Sequence, residues 1–338
     1  MLDDIRHQPD SLARVIGHHF GAGRRQLLDI AERLKSARRI VVSGMGASHF
    51  AAMPLAYALN ASLLDASELL YYGQRAREDA VVVLVSRSGN TVEVVKLIPL
   101  LREMGARIIG ITNESDSALA READEVLLVN AGRDEMVAVQ TYTGATMAML
   151  LLAAAVTGGL DDDLRRDAES TTHAVAGAIE HLVPASEEWR DFLDAARVIY
   201  VIGRGPSIAS VCEGALLFNE TAKLPSVAAP AGVFRHGPVE VVDENFRGII
   251  FANQTATREI DLALAGDLRR MGARVETIAP DGSWPIPATP EYFAPVSEII
   301  PVQMAAFRAA LWRGIRPGDF RYVSQVTTTE TGFKAYGR

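Results

Sequence analysis

Ser86-Arg87-Ser88-Gly89-Asn90-Thr91 directly follows an apolar run at 80–85 and precedes an amphipathic segment at 92–104. The order reads as buried strand, hydroxyl-rich turn, helix. Such a turn sets backbone N–H groups and the hydroxyls of Ser86, Ser88 and Thr91 at the positive end of a helix. That is a phosphate cradle without the lysine of a nucleotide-binding P-loop. Taken alone, the hexad equally fits a polar strand-to-helix turn capped by Ser88 or Thr91.

The chain around it alternates strand and helix. Residues 39–43 read as a short parallel strand, 44–48 as a tight turn and 49–61 as a helix. Strands are expected at 80–85, 107–112 and 125–129, and a long apolar helix at 143–156. Tyr71-Tyr72 marks a short connection or an edge strand. Alternation of this kind implies a parallel sheet covered on both faces. Before it, residues 1–37 form a helical arm interrupted at Pro9 and at Gly21-Ala22-Gly23.

The second half repeats the plan, with strands at 198–202, 248–252 and 274–278 and helices at 208–220 and 259–271. Gly44, Gly46, Ser48, Ala56 and Asn60 recur 159 positions later as Gly203, Gly205, Ser207, Ala215 and Asn219. Met104-Gly105-Ala106-Arg107 recurs 167 positions later as Met271-Gly272-Ala273-Arg274. Matched order in matched strand context implies duplication. The difference of eight between the offsets implies an insertion, expected at 228–238. At the hexad the copies diverge, because Ser86-Arg87-Ser88 falls on Asn253-Gln254-Thr255. The second half carries Arg235-His236-Gly237-Pro238 in its inserted loop. One half thus reads as an anion holder and the other as the source of a titrating group.

The fold expected is α/β, with two duplicated, flavodoxin-like, doubly wound domains. The boundaries are a helical arm at 1–26, a first domain at 27–160, a helical linker at 161–190, a second domain at 191–323 and a tail at 324–338. Asp161-Asp162-Asp163 reads as a solvated helix start, since consecutive acids on a helix point apart and no histidine has ligand spacing. His173 and His181 are read as surface residues of the linker. His7, His18, His19 and His49 are read as structural, with His49 the one able to face a ligand because it follows Ser48.

Composition narrows the function. With 338 residues, 49% hydrophobic and 22% charged, the chain has room for two ordinary domains. A net charge of -8 disfavours general nucleic-acid binding, which needs a basic face, but not a local anion site. The single cysteine, Cys212, excludes an intrachain disulfide and a cysteine metal cluster. The N-terminus begins with acid rather than a signal sequence, and the apolar run at 147–156 is too short to cross a bilayer. A cytoplasmic protein with no membrane or nucleic-acid partner is expected.

Gly44-x-Gly46-x-Ser48 followed by the hexad resembles the sugar isomerase (SIS) domain, whose pattern there is Ser-x-Ser-Gly-x-Thr. The second half is similar to the isomerase half of glucosamine-6-phosphate synthases. The likeness lies in Glu213-Gly214-Ala215-Leu216-Leu217-Phe218-Asn219-Glu220 and in His236-Gly237-Pro238. It covers about residues 27–330. No glutamine-hydrolysing segment precedes it, so the chain looks more like stand-alone double-SIS proteins: amino-sugar phosphate deaminases and isomerases, and deglycases of fructosamine 6-phosphates.

The resemblance implies that Ser48, Ser86, Ser88 and Thr91 bind a sugar phosphate. Arg87, where the synthases have a neutral amide, adds a charge-assisted contact. Glu220 corresponds to the base that moves a proton between C1 and C2, and His236 to the group that opens the sugar ring. In the family that histidine comes from a partner subunit, which implies a homodimer. Gly46, Glu213 and Gln325 support the site. No metal or cofactor is implied.

Two departures bear on the chemistry. Leu217 stands where the synthases have a lysine. Ser324 or Gln325 stands at the place of their tail lysine, and neither can form a Schiff base. Lys334 lies nine or ten residues beyond. General acid–base isomerisation or amine release through Glu220 and His236 remains open to this chain. A non-catalytic sugar-phosphate sensor is the alternative. A dinucleotide-dependent oxidoreductase, suggested by Gly44-x-Gly46, lacks the third glycine of that fingerprint.

Overall fold

Val81–Val85 is buried at all five positions, and its Val-Val-Val-Leu-Val sequence suits a strand covered on both faces. In the computed structural model, which describes residues 1–73 and 80–332, this strand (β3) lies inside a five-stranded parallel sheet. The other strands of the sheet are β1 (Ile40–Gly44), β2 (Ser62–Asp65), β4 (Arg107–Thr112) and β5 (Glu125–Leu128). The order is β2-β1-β3-β4-β5. β1 pairs with β3 in register, Ile40 opposite Val81 and Gly44 opposite Val85. Both strands therefore end at the same level.

The second sheet contains β6 (Ile199–Gly203), β7 (Ser226–Pro230), β8 (Arg247–Phe251), β9 (Arg274–Ala279) and β10 (Trp284–Pro285). Its order, β10-β9-β8-β6-β7, is the same topology read from the other edge. The doubly wound, duplicated α/β fold expected from the sequence is the one observed. In such sheets ligands bind beyond the carboxyl ends of the strands where the strand order reverses. That point lies between β1 and β3 in one sheet and between β6 and β8 in the other.

The chain forms two compact units. One comprises Asp10–Arg133, Gln140–Arg166 and Phe320–Arg338, and holds the first sheet. The other comprises Met1–Pro9, Asp134–Val139 and Asp167–Asp319, and holds the second. The first core packs Val41, Val82, Leu84 and Ile108 against Val94, Leu97, Ile98 and Leu101 of the helix Val92–Glu103. The second packs Ile202, Ile250 and Val275 with Phe234, Phe246, Leu264 and Leu268. Replacing one such leucine by alanine costs about 2–5 kcal/mol.

Several expectations need correction. Tyr71 closes a short helix, Ala66–Tyr71, and is not part of an edge strand. The edge strand is Ser62–Asp65, too short and too exposed to show a periodicity. Pro9 does not break the arm, because it sits in the first turn of the helix Gln8–Phe20, where no donor is lost. The insertion is also misplaced. The offset from β1 to β6, Ile40 to Ile199, is 159, and from β2 to β7, Ser62 to Ser226, it is already 164. It then reaches 166 at Val81 and Arg247 and 167 at Arg107 and Arg274. Most of the extra chain thus precedes β7, and β7 itself is the counterpart of β2.

The expected helix at 208–220 is α-helical only over Ile208–Leu217 and continues as a π-helical turn, Phe218–Ala222. A π turn is how a helix absorbs an extra residue. Asp161 caps the helix Asp162–Ala185 by accepting from Leu164 N at 2.9 Å, as expected of a solvated helix start. Among the described residues no helix is long and apolar enough to cross a membrane.

Candidate functional site

The hexad sits at the strand-order reversal of the first sheet, immediately after β3. Its hydroxyls organise the turn itself. Ser86 is buried, and its Oγ accepts from Gly89 N at 3.1 Å and lies 3.0 Å from Thr91 Oγ1. Ser88 Oγ accepts from Asn90 N at 3.2 Å. Thr91 occupies the N-cap of Val92–Glu103 yet makes no capping bond, because its hydroxyl is turned to Ser86. The plain capped-turn reading of the hexad therefore fails at both residues offered for it.

Ser48 arrives from the neighbouring turn after β1. Its Oγ accepts from the backbone N–H of Arg87 at 3.1 Å and ties the two turns together. Gly46 has φ +51, a left-handed conformation open to glycine at no steric cost. Gly89 has φ +61, and a Cβ there would meet Ser117 Oγ at 2.1 Å. From below, the Arg87 carbonyl accepts from Thr112 Oγ1 and from Asn113 N, each at 3.1 Å. Ser48, Ser86, Arg87, Ser88 and Thr91 thus lie in one hydrogen-bonded pair of turns, preformed without a ligand.

The tail crosses this pair of turns. Arg87 Nη2 donates to the Gln325 carbonyl at 2.8 Å, and Val92 N donates to the Thr327 carbonyl at 3.0 Å. Glu330 then accepts from Tyr71 Oη at 2.7 Å and pairs with Lys96. The Lys96 ammonium and the Tyr71 hydroxyl hold the Glu330 carboxyl below its ordinary range. This anchor of Tyr71, Lys96 and Glu330 was missed in the sequence, where nothing local links residues so far apart. Ser324 turns its hydroxyl to the Val326 carbonyl at 2.7 Å. Lys334 lies outside the described residues.

His49 follows Ser48 and is half-buried, with Nδ1 unpartnered. Burial lowers its pKa, opposed by the charge of Asp65. It therefore stands as a neutral ring beside the cradle.

Two carboxyl groups singled out in the sequence lie in the other unit. Glu213 lies on the helix Ile208–Leu217 and Glu220 on the π turn that continues it. Glu213 is 1% exposed and its Oε2 has no partner. Burial, reinforced by the charges of Glu220 and then Asp134, pushes the Glu213 carboxyl well above the carboxylate range. Glu213 is thus held as the neutral acid beside a half-buried Glu220. Lys223, with φ +52, ends the π turn and turns its ammonium onto the carbonyls of Glu220 and Asp319. Leu217 is a core residue, 1% exposed.

His236 is exposed, on the turn after the short helix Ala231–Phe234. Its backbone N–H donates to the Val233 carbonyl at 2.9 Å, and Gly237 follows with φ +140. The structure brings Glu213 and Glu220 within electrostatic reach of each other, and no hydrogen bond joins His236 to either. Among the described residues no cluster of His, Cys, Asp or Glu has the arrangement of a metal site.

The SIS domain pattern matches this chain twice, at residues 33–157 and 192–312. A glutamine–fructose-6-phosphate aminotransferase (isomerizing) of Pyrobaculum aerophilum is 30% identical over 349 aligned positions. That alignment covers 98% of this chain and 57% of the relative, so the chain spans little more than half the relative's length. The C-terminal domain of a glucosamine-fructose-6-phosphate aminotransferase from Francisella tularensis superposes with a TM-score of 0.84. It has 21% identity and covers 94% of this chain and 98% of its own. A glucosamine-6-phosphate deaminase from Thermotoga maritima gives a TM-score of 0.78 at 21% identity, with 96% and 98% covered. At these identities the two structures speak to the fold.

Proposed function

The chain belongs to the SIS domain family, and from this premise we propose that it is an enzyme acting on a hexose or amino-sugar 6-phosphate. The reaction is aldose–ketose isomerisation, with or without transfer or release of an amine at C2. The preformed turn pair of Ser48 and Ser86 to Thr91 holds the phosphate, remote from the reacting carbons, and supplies binding energy and orientation. The observation that carries the catalytic half is the carboxyl pair. A buried, neutral Glu213 leaves Glu220 as the member of the pair that takes a proton.

In this reading Glu220 removes the proton alpha to the carbonyl and returns it to the adjacent carbon, the enediol or enolamine being the intermediate. His236 exchanges a proton with the ring oxygen or anomeric hydroxyl during ring opening. Because the His236 ring is exposed, we assign it to the site of a second copy in a homodimer. The domain limits follow the same reading, with the arm at 1–26, sugar-isomerase domains at 27–160 and 191–323, the linker between them and the tail from 324. The protein acts in the cytoplasm on a soluble metabolite.

Turnover assays with glucosamine 6-phosphate, with fructose 6-phosphate plus ammonia and with fructosamine 6-phosphates test the proposal. Conversion of one of them is expected. Binding of these esters with no conversion of any would remove it and favour a sugar-phosphate sensor. The buried Leu217 and the tail serine and glutamine in place of lysines are what speak for that second reading.

A further inference from the structure

The strand-order reversal of the second sheet has its own pair of turns, after β6 and after β8. Ser207 stands there at the position of Ser48, and at the offset of 166 that relates β3 to β8, Ala252, Asn253 and Gln254 stand at the positions of Ser86, Arg87 and Ser88, one residue earlier than the sequence repeat implied. In the first sheet, among the described residues, these side chains bond to one another, to turn amides and to the tail backbone. In the second they surround a carboxyl group of the same unit. Glu298 is wholly buried, and its Oε1 accepts from Ser210 Oγ at 2.7 Å. Its Oε2 accepts from Ser207 Oγ at 3.0 Å and from Asn253 Nδ2 at 3.0 Å. Gln254 Nε2 donates to Ser207 Oγ at 3.2 Å and locks the donor that faces the carboxyl group.

The neighbouring groups are used in the same way. Thr255 donates from its backbone N at 2.9 Å and its hydroxyl at 2.6 Å to Glu291. Arg204, on the turn after β6, is taken by buried Asp261 at 2.7 Å. Among the described residues no cation pairs with Glu298; two hydroxyls and an amide meet it. That donor set suits an oxyanion held by hydrogen bonds, as a phosphate is held in the first turn pair.

We propose that the Glu298 carboxyl group is a tethered occupant that fills the second copy of the phosphate cradle. The duplicated site survives as an anion site, occupied from within by a carboxyl group in place of a phosphate ester. It holds Ser207 and Ser210, which begin the helix that carries Glu213, so the internal carboxyl group also anchors that helix. Removing the carboxyl group opens a site for a free phosphate group.

The test uses the full chain with Ser88→Asp, which places a negative charge in the first turn pair and silences it. Melting is followed in inorganic phosphate and in chloride at equal ionic strength. Ser88→Asp alone is expected to show no phosphate-specific rise in melting midpoint. Ser88→Asp with Glu298→Ala is expected to melt lower and to regain about 3–5 °C in phosphate at roughly ten times its dissociation constant. A phosphate-specific rise without the Glu298 change would overturn the proposal, as would its absence with it. If the alanine variant does not fold, Ser88→Asp with Glu298→Gln serves, since its amide faces the donors of Ser207 and Asn253. It is expected to melt lower and gain nothing from phosphate, and a melt unchanged from the parent would overturn the proposal. Neither readout uses turnover, so failure of the proposed enzymatic reading leaves this result standing, and the reverse.

Discussion

Arg87 donates from Nη2 to the backbone carbonyl of Gln325 at 2.8 Å. The residue that interrupts the neutral hydroxyl turn is therefore a fastening for the tail as well as a charge beside the cradle. Cradle and tail cover are coupled through one side chain.

Arg87→Ala should loosen the tail without unfolding the unit. Trypsin is expected to cut after Arg321 severalfold faster. Binding of a phosphate ester should weaken by about tenfold, the worth of one charge-assisted hydrogen bond. Global stability should change by less than about 1 kcal/mol, since the guanidinium is only partly buried. An unchanged cleavage rate would separate Arg87 from the tail.

Gly89→Ala strikes the turn itself. Its φ of +61 and the 2.1 Å approach of a new Cβ to Ser117 Oγ act together. A loss of about 2–4 kcal/mol in denaturant unfolding is expected. Gly105 has a similar φ of +72 but open space around it. Gly105→Ala should therefore cost only about 1 kcal/mol. Equal losses would show that the contact with Ser117 is not felt.

Glu213 gives stability a pH dependence of defined sign. Its folded pKa lies above the ordinary 4.5, so its contribution is fully present below that value and is lost as pH rises through the raised one. Glu213→Gln should remove that loss. Relative to the parent, the variant is expected to gain stability as pH rises from 4.5 toward 8. A difference that stays flat with pH would contradict the neutral-acid assignment.

His19 works in the opposite direction. It is fully buried, both ring nitrogens are unpartnered, and burial followed by the charge of His18 lowers its pKa from 6.5 to about 3. A depressed folded pKa contributes stability above 6.5 that is lost as pH falls from there toward about 3. His19→Leu should flatten this loss, by on the order of 4 kcal/mol across the window. Parallel pH–stability curves for parent and variant would rule the effect out.

The sheets were legible because their inner strands are short β-branched runs closed by glycine-containing turns. Val81–Val85 and Arg107–Thr112 can hardly be anything else, and repetition of the Gly-x-Gly-x-Ser turn exposed the duplication. Ser62–Asp65 was not legible, because four half-exposed residues carry no period. The π turn at Phe218–Ala222 escaped as well: it differs from an α turn in hydrogen-bond register, and no residue type marks it. The hydroxyls of the turn pair stand out in the sequence, but their hydrogen bonds to one another and to the turn amides do not. Arg87 and Gln325 are 238 positions apart, and Ser207 and Glu298 are 91 apart. Contacts at that range come from the folding of the sheet, and only coordinates reveal them.

Proton exchange at the reacting carbons tests the central claim most directly. Glucosamine 6-phosphate and fructose 6-phosphate are incubated in deuterium oxide with the wild-type protein and with Glu220→Gln, and deuterium at C1 and C2 is followed by NMR. The wild-type protein is predicted to incorporate deuterium into at least one of these sugars. Glu220→Gln should slow incorporation by about 10²–10⁴-fold while binding the ester as tightly. Incorporation at an undiminished rate in Glu220→Gln, or none by a wild-type protein that binds both esters, would contradict the account.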